Sequence, residues 1–281
     1  MVLVRTKKEL ASLLSSFDKT RGIGLVPTMG ALHKGHMALV KRAISENENV
    51  VVSIFVNPTQ FNNKEDLVKY PQTLEADMAL LKEVSNTISV FAPTVEEIYG
   101  DKTKTKVYDF EGLDKVMEGE FRDDHFNGVG TIVETLLKLV KPKKAYFGEK
   151  DFQQLQIIKK LVNIANLSVE IIGCPIVREA NGLAMSSRNE RLSKTMRKEA
   201  AFIYKTLNTA KKKFGTKSAK EVIDWVNGEF QKNSDLDLEY IAITDVDTLT
   251  PIQKKQKDVK YRAFVAVYAE SIRLIDNIAL N

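Results

Sequence analysis

Cysteine occurs once in the 281 residues and histidine three times, and no apolar run reaches the length of a membrane span. A lone Cys174 excludes an internal disulfide, and its setting in VEIIGCPIV reads as a small core residue rather than a nucleophile. The longest strongly apolar run, near residues 50–56, is too short to cross a bilayer, and the apolar part of MVLVRTKKEL is too short for a secretory signal. A cytoplasmic location is expected. Internal repeats and low-complexity tracts are also lacking, and 43% hydrophobic with 28% charged residues is the balance of a globular protein rather than a disordered one. The lysine groups KPKK (141–144), KKK (211–213) and KKQK (254–257) are scattered, without the interleaved aromatics of a nucleic-acid groove. A net charge of +5 and a pI near 9.0 therefore fit solvated surface and anionic small substrates, with no nucleic-acid or membrane partner expected.

Two of the three histidines lie together in IGLVPTMGALHKGH (23–36). Ile23, Leu25 and Val26 read as a strand that Pro27, Thr28 and Gly30 bring to a stop. Helical spacing then begins with Met37, Leu39, Val40 and Ala43–Ile44, so Gly35 and His36 fall in the first turn of a helix that follows a strand. Unpaired amide hydrogens and the helix dipole suit that junction to phosphate. Gly30 and Gly35 have the glycine spacing of a P-loop, but His36 and Met37 stand where lysine and a hydroxyl residue belong, so this is a different nucleotide chemistry. Taken alone, the imidazoles either donate to phosphate or cap the helix and sit satisfied in a core.

Strand-like runs at 23–28, 50–56, 88–91, 145–148 and 169–176 alternate with helix-like stretches at 35–46, 71–84, 129–140 and 153–166, which predicts a Rossmann-like α/β parallel sheet with crossover helices. The polar stretch VREANGLAMSSRNERLS (177–193) marks a boundary, giving domains of 1–176 and 177–281. Beyond it come a long helical segment over about 193–214, a helix over 219–231 opened by the capping-box pattern Ser218–Glu221, and strands at 238–244, 261–269 and 272–279. Helices followed by strands predict a smaller C-terminal α+β domain.

FVNPTQF (55–61), YPQTLEAD (70–77), FGEKDFQQ (147–154), MSSRN (185–189) and RLIDN (273–277), taken in order with PTMGALHKGH, closely resemble the pantoate–beta-alanine ligases, or pantothenate synthetases, of the HxGH nucleotidyltransferase superfamily. The likeness runs from about residue 20 to 192 and returns at 273–277. It implies an ATP-dependent ligase in which pantoate and ATP form pantoyl adenylate and pyrophosphate, and beta-alanine then displaces AMP to give pantothenate. Alignment of reactants and neutralisation of phosphate charge are the tasks such a reaction sets.

The resemblance implies that Met29, Gly30, Ala31, Leu32, His33, Lys34, Gly35 and His36 hold ATP, with His36 a proton donor and His33 a second phosphate donor. Gly148, Glu149, Lys150, Asp151, Val177, Met185, Ser186, Ser187 and Arg188 extend the ATP site; Lys150 is a point charge for polyphosphate and Arg188 a guanidinium fork. Gln60 and Gln154, amides that both donate and accept, are assigned to pantoate, and Gln60 also to beta-alanine. Magnesium is expected with ATP. Asp77 and Asp151 are candidates for the ion or its waters, or for orienting neighbouring residues. A homodimer through the first domain is implied by resemblance alone.

Two departures stand out. RDDHF (122–126) replaces RPGHF, and Asn62 replaces the glycine that follows NPxQF, although asparagine tolerates left-handed backbone. Two rival readings are a metal hydrolase with zinc on His33, His36 and His125, and a non-catalytic nucleotide- or RNA-binding module.

Overall fold

A computed structural model describes residues 1–18, 22–62, 64–252 and 254–281. These fall into two compact units, Met1–Glu149 with Gln154–Pro175, and Lys150–Gln153 with Ile176–Asn281.

In the first unit the described strands are β1 (Val2–Val4), β2 (Ile23–Thr28), β3 (Asn49–Ile54), β4 (Ser89–Phe91), β5 (Lys144–Gly148) and β6 (Glu170–Cys174). They form one wholly parallel sheet in the order β1-β4-β3-β2-β5-β6. Val50, Val51 and Val52 are buried in sequence, as expected of a strand covered on both faces. Helix Lys34–Glu46 turns Met37, Leu39, Val40 and Ala43 inward, against Val26, Val52 and Val90 of the sheet. Cys174 belongs to this same core, and burial pushes its thiol up, as fits the reading of a packed, unreactive residue.

The chain runs outward from β2 through β3 to β4, then returns to place β5 on the other side of β2. The strand order thus reverses between β2 and β5, and in such sheets ligands bind beyond the carboxyl ends at that point. Those ends carry the PTMGALHKGH and FGEK segments.

Helix His125–Val140 starts four residues earlier than its apolar period suggests and is buried along nearly its whole length. Its one acid, Glu134, resists burial through Lys106 (2.7 Å), Lys138 (2.6 Å) and the Tyr108 hydroxyl (2.6 Å). Desolvation raises this carboxyl, but the three partners outweigh it and hold it at about 2.

The second unit contains helices Lys194–Glu199, Ala201–Phe214 and Ala219–Gln231 and an antiparallel sheet of β7 (Leu236–Asp245), β8 (Tyr261–Ala269) and β9 (Ile272–Ala279). The expected long helix over 193–214 is divided at Ala200. Ala200 receives an i→i+3 bond from Ile203 N–H, and the ladder restarts there. The Ser218–Glu221 capping box forms as expected. Leu207, Val222, Val226, Ala263, Val265 and Val267 pack into a core of the second unit's own.

Candidate active site

β2 ends in a tightly held turn. Thr28 Oγ1 donates to Ser53 O (2.7 Å) and accepts from Gly30 N–H (3.2 Å), and the backbone then passes through positive φ at Gly30 (80°) and Ala31 (49°). A Cβ at Gly30 would lie 3.0 Å from Asp77 Oδ2 and 3.1 Å from Ile54 Cγ2, so conformation and crowding both require glycine. Asp77, only 1% exposed, accepts from Ala31 N–H (3.0 Å), Leu32 N–H (2.7 Å) and the Thr73 hydroxyl (3.2 Å).

Of the two roles expected for Asp77, the geometry supports orienting the turn, because both carboxylate oxygens already accept from protein donors. Asp77→Ala is expected to lower stability by about 1–3 kcal/mol for each backbone donor left unmet, read as a shifted urea midpoint. A variant as stable as the parent, but with an altered magnesium requirement, would restore the metal role.

The next residues cap helix Lys34–Glu46 in an unusual way. His33 is the N-cap, and its Nδ1 accepts from Gly35 N–H (3.1 Å), while His36 Nδ1 accepts from His33 N–H (3.3 Å). The rings lie 4.1 Å apart, tilted by 40°. Imidazoles thus occupy the places that serine and glutamate hold in an ordinary capping box. With each Nδ1 accepting, each ring carries its proton on Nε2. Capping and phosphate donation are therefore compatible, since the bond that caps the helix also fixes the tautomer that donates.

Gln60 closes the Pro58–Gln60 turn after β3. Its Nε2 donates to Met29 Sδ (2.8 Å), and its Oε1 accepts from Asn57 Nδ2 (3.2 Å). Asn57, fully buried, also donates to Gly128 O (3.1 Å) and accepts from the Tyr99 hydroxyl (2.6 Å) and Thr59 Oγ1 (3.0 Å). Burial pushes the Tyr99 phenol up, which keeps it a donor. The Gln60 carbonyl accepts from His125 Nδ1 (2.8 Å) and Arg122 Nη2 (3.1 Å). Gly128 makes this packing possible, because a Cβ there would strike the Thr59 carbonyl. Asn57, Tyr99 and Arg122 were not singled out in the sequence. Asn57 and Arg122 lie within the quoted FVNPTQF and RDDHF segments, which gave neither of them a role, and Tyr99 lies outside every quoted segment.

His125 is engaged with Gln60 rather than with the other histidines. Among the described residues no three His, Cys, Asp or Glu side chains are grouped to hold a metal, so the zinc-hydrolase reading is corrected. Helix Phe152–Ile164 carries Gln154, half-buried.

The two departures meet in space. Asn62 Nδ2 donates to the Asp123 carbonyl, and Asp124 takes a left-handed φ of 58° ahead of helix His125–Val140, with Asn127 Nδ2 donating to its Oδ1 (2.8 Å).

The second unit holds the remaining cations. Lys150, with Asp151, lies just ahead of helix Phe152–Ile164; its Nζ is 3.8 Å from the exposed Asp151 carboxylate. Gly148 and Glu149 precede it at the end of β5 in the first unit. The MSSRN segment is framed by a short hairpin. Arg178 pairs with Ala184, and Met185 N–H donates to Val177 O (3.0 Å). Ser186 then caps the Ser187–Arg191 turn, its Oγ accepting from Arg188 N–H (3.3 Å). Below it, buried Asn189 donates to Ala184 O (3.0 Å) and Glu179 Oε1 (2.8 Å).

The family model for pantoate-beta-alanine ligase matches residues 2–279. The pantothenate synthetase of Christiangramia forsetii is 59% identical over 278 residues, 98% of each chain. The structure of pantothenate synthetase from Thermus thermophilus superposes with a TM-score of 0.90 at 40% identity, covering 100% of this chain and 99% of that one. The pantoate-beta-alanine ligase of Francisella tularensis, complexed with beta-gamma ATP and beta-alanine, gives a TM-score of 0.82 at 37% identity over 100% and 98%. Likeness of this extent spans both units and nearly every residue: the chain belongs to the pantoate–beta-alanine ligase family.

Proposed function

We propose that the chain joins pantoate to beta-alanine by first transferring AMP from ATP to the pantoate carboxylate. The observation that carries this is the pair of imidazoles at the start of helix Lys34–Glu46, each accepting a backbone N–H at Nδ1 and so leaving Nε2 to donate, at the sheet's switch point. Neutral donors and a helix N-terminus suit the phosphates of ATP, and Gly30–Leu32 is held in place by Asp77. His36 and His33 donate to phosphate oxygens and help pyrophosphate leave. Lys150 and Arg188 supply positive charge to the same developing anion, and Ser186 and Ser187 add hydroxyl donors. Gln60, fixed at both backbone and amide, reads pantoate together with Gln154, and Gln60 also meets the beta-alanine that follows.

The attacking group is the substrate's own carboxylate. The single cysteine lies in the core with its thiol raised, so it is no nucleophile for a covalent route. Beta-alanine then attacks the acyl carbonyl, forming the amide and releasing AMP. Magnesium, bound with ATP, would neutralise phosphate charge. Of the two expected carboxylates, exposed Asp151 fits its waters, whereas Asp77 has both oxygens occupied. A homodimer through the first unit and a cytoplasmic location complete the reading on the strength of the family resemblance. Among the described residues, no helix is long and apolar enough to cross a membrane.

Isotope tracing tests the order of bonds. Pantoate carrying ¹⁸O in its carboxylate is expected to give AMP with one labelled oxygen, because the attacking oxygen stays on phosphorus. Beta-alanine should be required for AMP release but not for pyrophosphate release. Unlabelled AMP would overturn the adenylate, and label in inorganic phosphate with ADP would indicate an acyl-phosphate route instead.

A further inference from the structure

Strand β9 contains an amide placed for a task that the substrate-facing residues do not perform. Asn277, 1% exposed, stands opposite Phe264 in the β8–β9 register. Its Nδ2 donates to the Lys150 carbonyl (2.8 Å), and its Oδ1 accepts from Arg262 Nη1. Arg262 is itself buried, with its guanidinium over the Phe152 ring, 4.0 Å from the centroid, and Phe152 packs on Phe264 at 6.0 Å. The segment from Lys150 to Phe152 is thus gripped by backbone and by ring from a single strand pair.

The neighbouring residue holds a second element. Asp276, also buried, receives two bonds from Arg178, Nη1 to Oδ2 at 2.6 Å and Nη2 to Oδ1 at 3.0 Å. Arg178 Nη1 also donates to Gly182 O (3.1 Å), and its guanidinium stacks on Tyr204, 3.6 Å from the ring centroid. Consecutive strand residues point to opposite faces, so β9 can anchor Lys150 on one side and the hairpin leading to Ser186 on the other.

From this geometry we infer that Asn277 is a positioning residue for adenylation, acting through Lys150; the inference rests on the role proposed above for Lys150. A lysine stem is flexible and carries considerable rotamer entropy, so where its ammonium spends time depends on how firmly its backbone is fixed. Asn277 must donate to a carbonyl and accept from a guanidinium at once, and an amide side chain does both from separate atoms. Alanine loses both bonds. Aspartate keeps the acceptor for Arg262 but sets a carboxylate oxygen, which cannot donate, against the Lys150 carbonyl and adds a negative charge that Arg262 faces.

A double-mutant cycle reads this directly, with single-turnover pyrophosphate release in the full chain as the observable. Asn277→Ala is expected to slow release about tenfold, the cost of losing the hydrogen bond that fixes the part-buried Lys150 carbonyl. In a Lys150→Met background the same change should alter the rate by less than about twofold, because the group it positions is gone. Asn277→Asp should repeat both results, and it decides the matter if the alanine variant fails to fold. An unchanged rate in Asn277→Asp, or an equal loss in both backgrounds, overturns the inference, since a general loosening of the fold would slow both alike. A normal rate in Lys150→Met alone overturns the role of Lys150, and this inference with it. A slow Lys150→Met beside a normal Asn277→Asp overturns the inference alone.

Discussion

His36→Ala is expected to fold and to lose pantoate-dependent pyrophosphate exchange by roughly 10²- to 10³-fold, the usual cost of removing one preorganised donor to developing charge. The substitution removes two things at once. His36 Nδ1 accepts from His33 N–H, so alanine also leaves that amide without its cap. Asparagine and glutamine variants separate the losses. Asparagine places a polar atom near Nδ1 and can keep the cap, whereas glutamine reaches to the place of Nε2 and can keep the donor. If phosphate donation is the function, His36→Gln recovers part of the exchange and His36→Asn does not. The reverse order would make His36 a capping residue, and unchanged exchange in His36→Ala would remove the histidine pair from the mechanism.

A second large effect is expected at Lys150. Methionine keeps the apolar stem and removes the charge, so Lys150→Met should slow pyrophosphate release in a single turnover by about 10²-fold while leaving the thermal midpoint near that of the parent. Lys150 sits 3.8 Å from an exposed Asp151, too loose a pair for its loss to destabilise the fold appreciably. Arg188→Lys should act in the same direction, because a point charge cannot reproduce the guanidinium fork. The two variants distinguish charge from geometry: Lys150 answers to the loss of charge, Arg188 to the loss of shape. Normal release in either would show that residue to be peripheral.

The parts of the fold that were legible in the sequence were those with a sustained period. Strands β2, β8 and β9 appear with the expected bounds, and helix Ala219–Gln231 is announced by its capping box. β1, three residues long, is too short to show alternation, and its order comes from pairing with β4, distant in the chain. The first turn of helix His125–Val140 lies ahead of the apolar period that begins at Val129, and its interior holds two glycines, Gly128 and Gly130. Both are demanded by neighbours, the Thr59 carbonyl at one and the Tyr108 ring at the other. Propensity yields there to packing.

The site divides in the same way. The histidine pair is visible because its two members are three residues apart and their bonds are local. The groups that fix Gln60 come from far along the chain, Tyr99 by way of Asn57 and Arg122 directly, and no spacing rule joins them. The role of Asp77 was open for the same reason. Its partners Ala31 and Leu32 lie far upstream, so that exposed metal ligand and buried brace look alike until the backbone is folded.

The bond from Asn62 to the Asp123 carbonyl ties together the two loops at which the sequence departs from the pattern it resembles. Where the family pattern has a Pro-Gly pair, stiffness is written into the backbone of one loop. Here Asp124 enters left-handed backbone without a glycine, and a side chain from the other loop clasps the residue before it. The two loops that carry the departures are thereby joined by an amide clasp. The acceptor is a main-chain carbonyl that any residue at 123 supplies, so the clasp depends on Asn62, and Asn62→Gly is expected to loosen the loop ahead of helix His125–Val140.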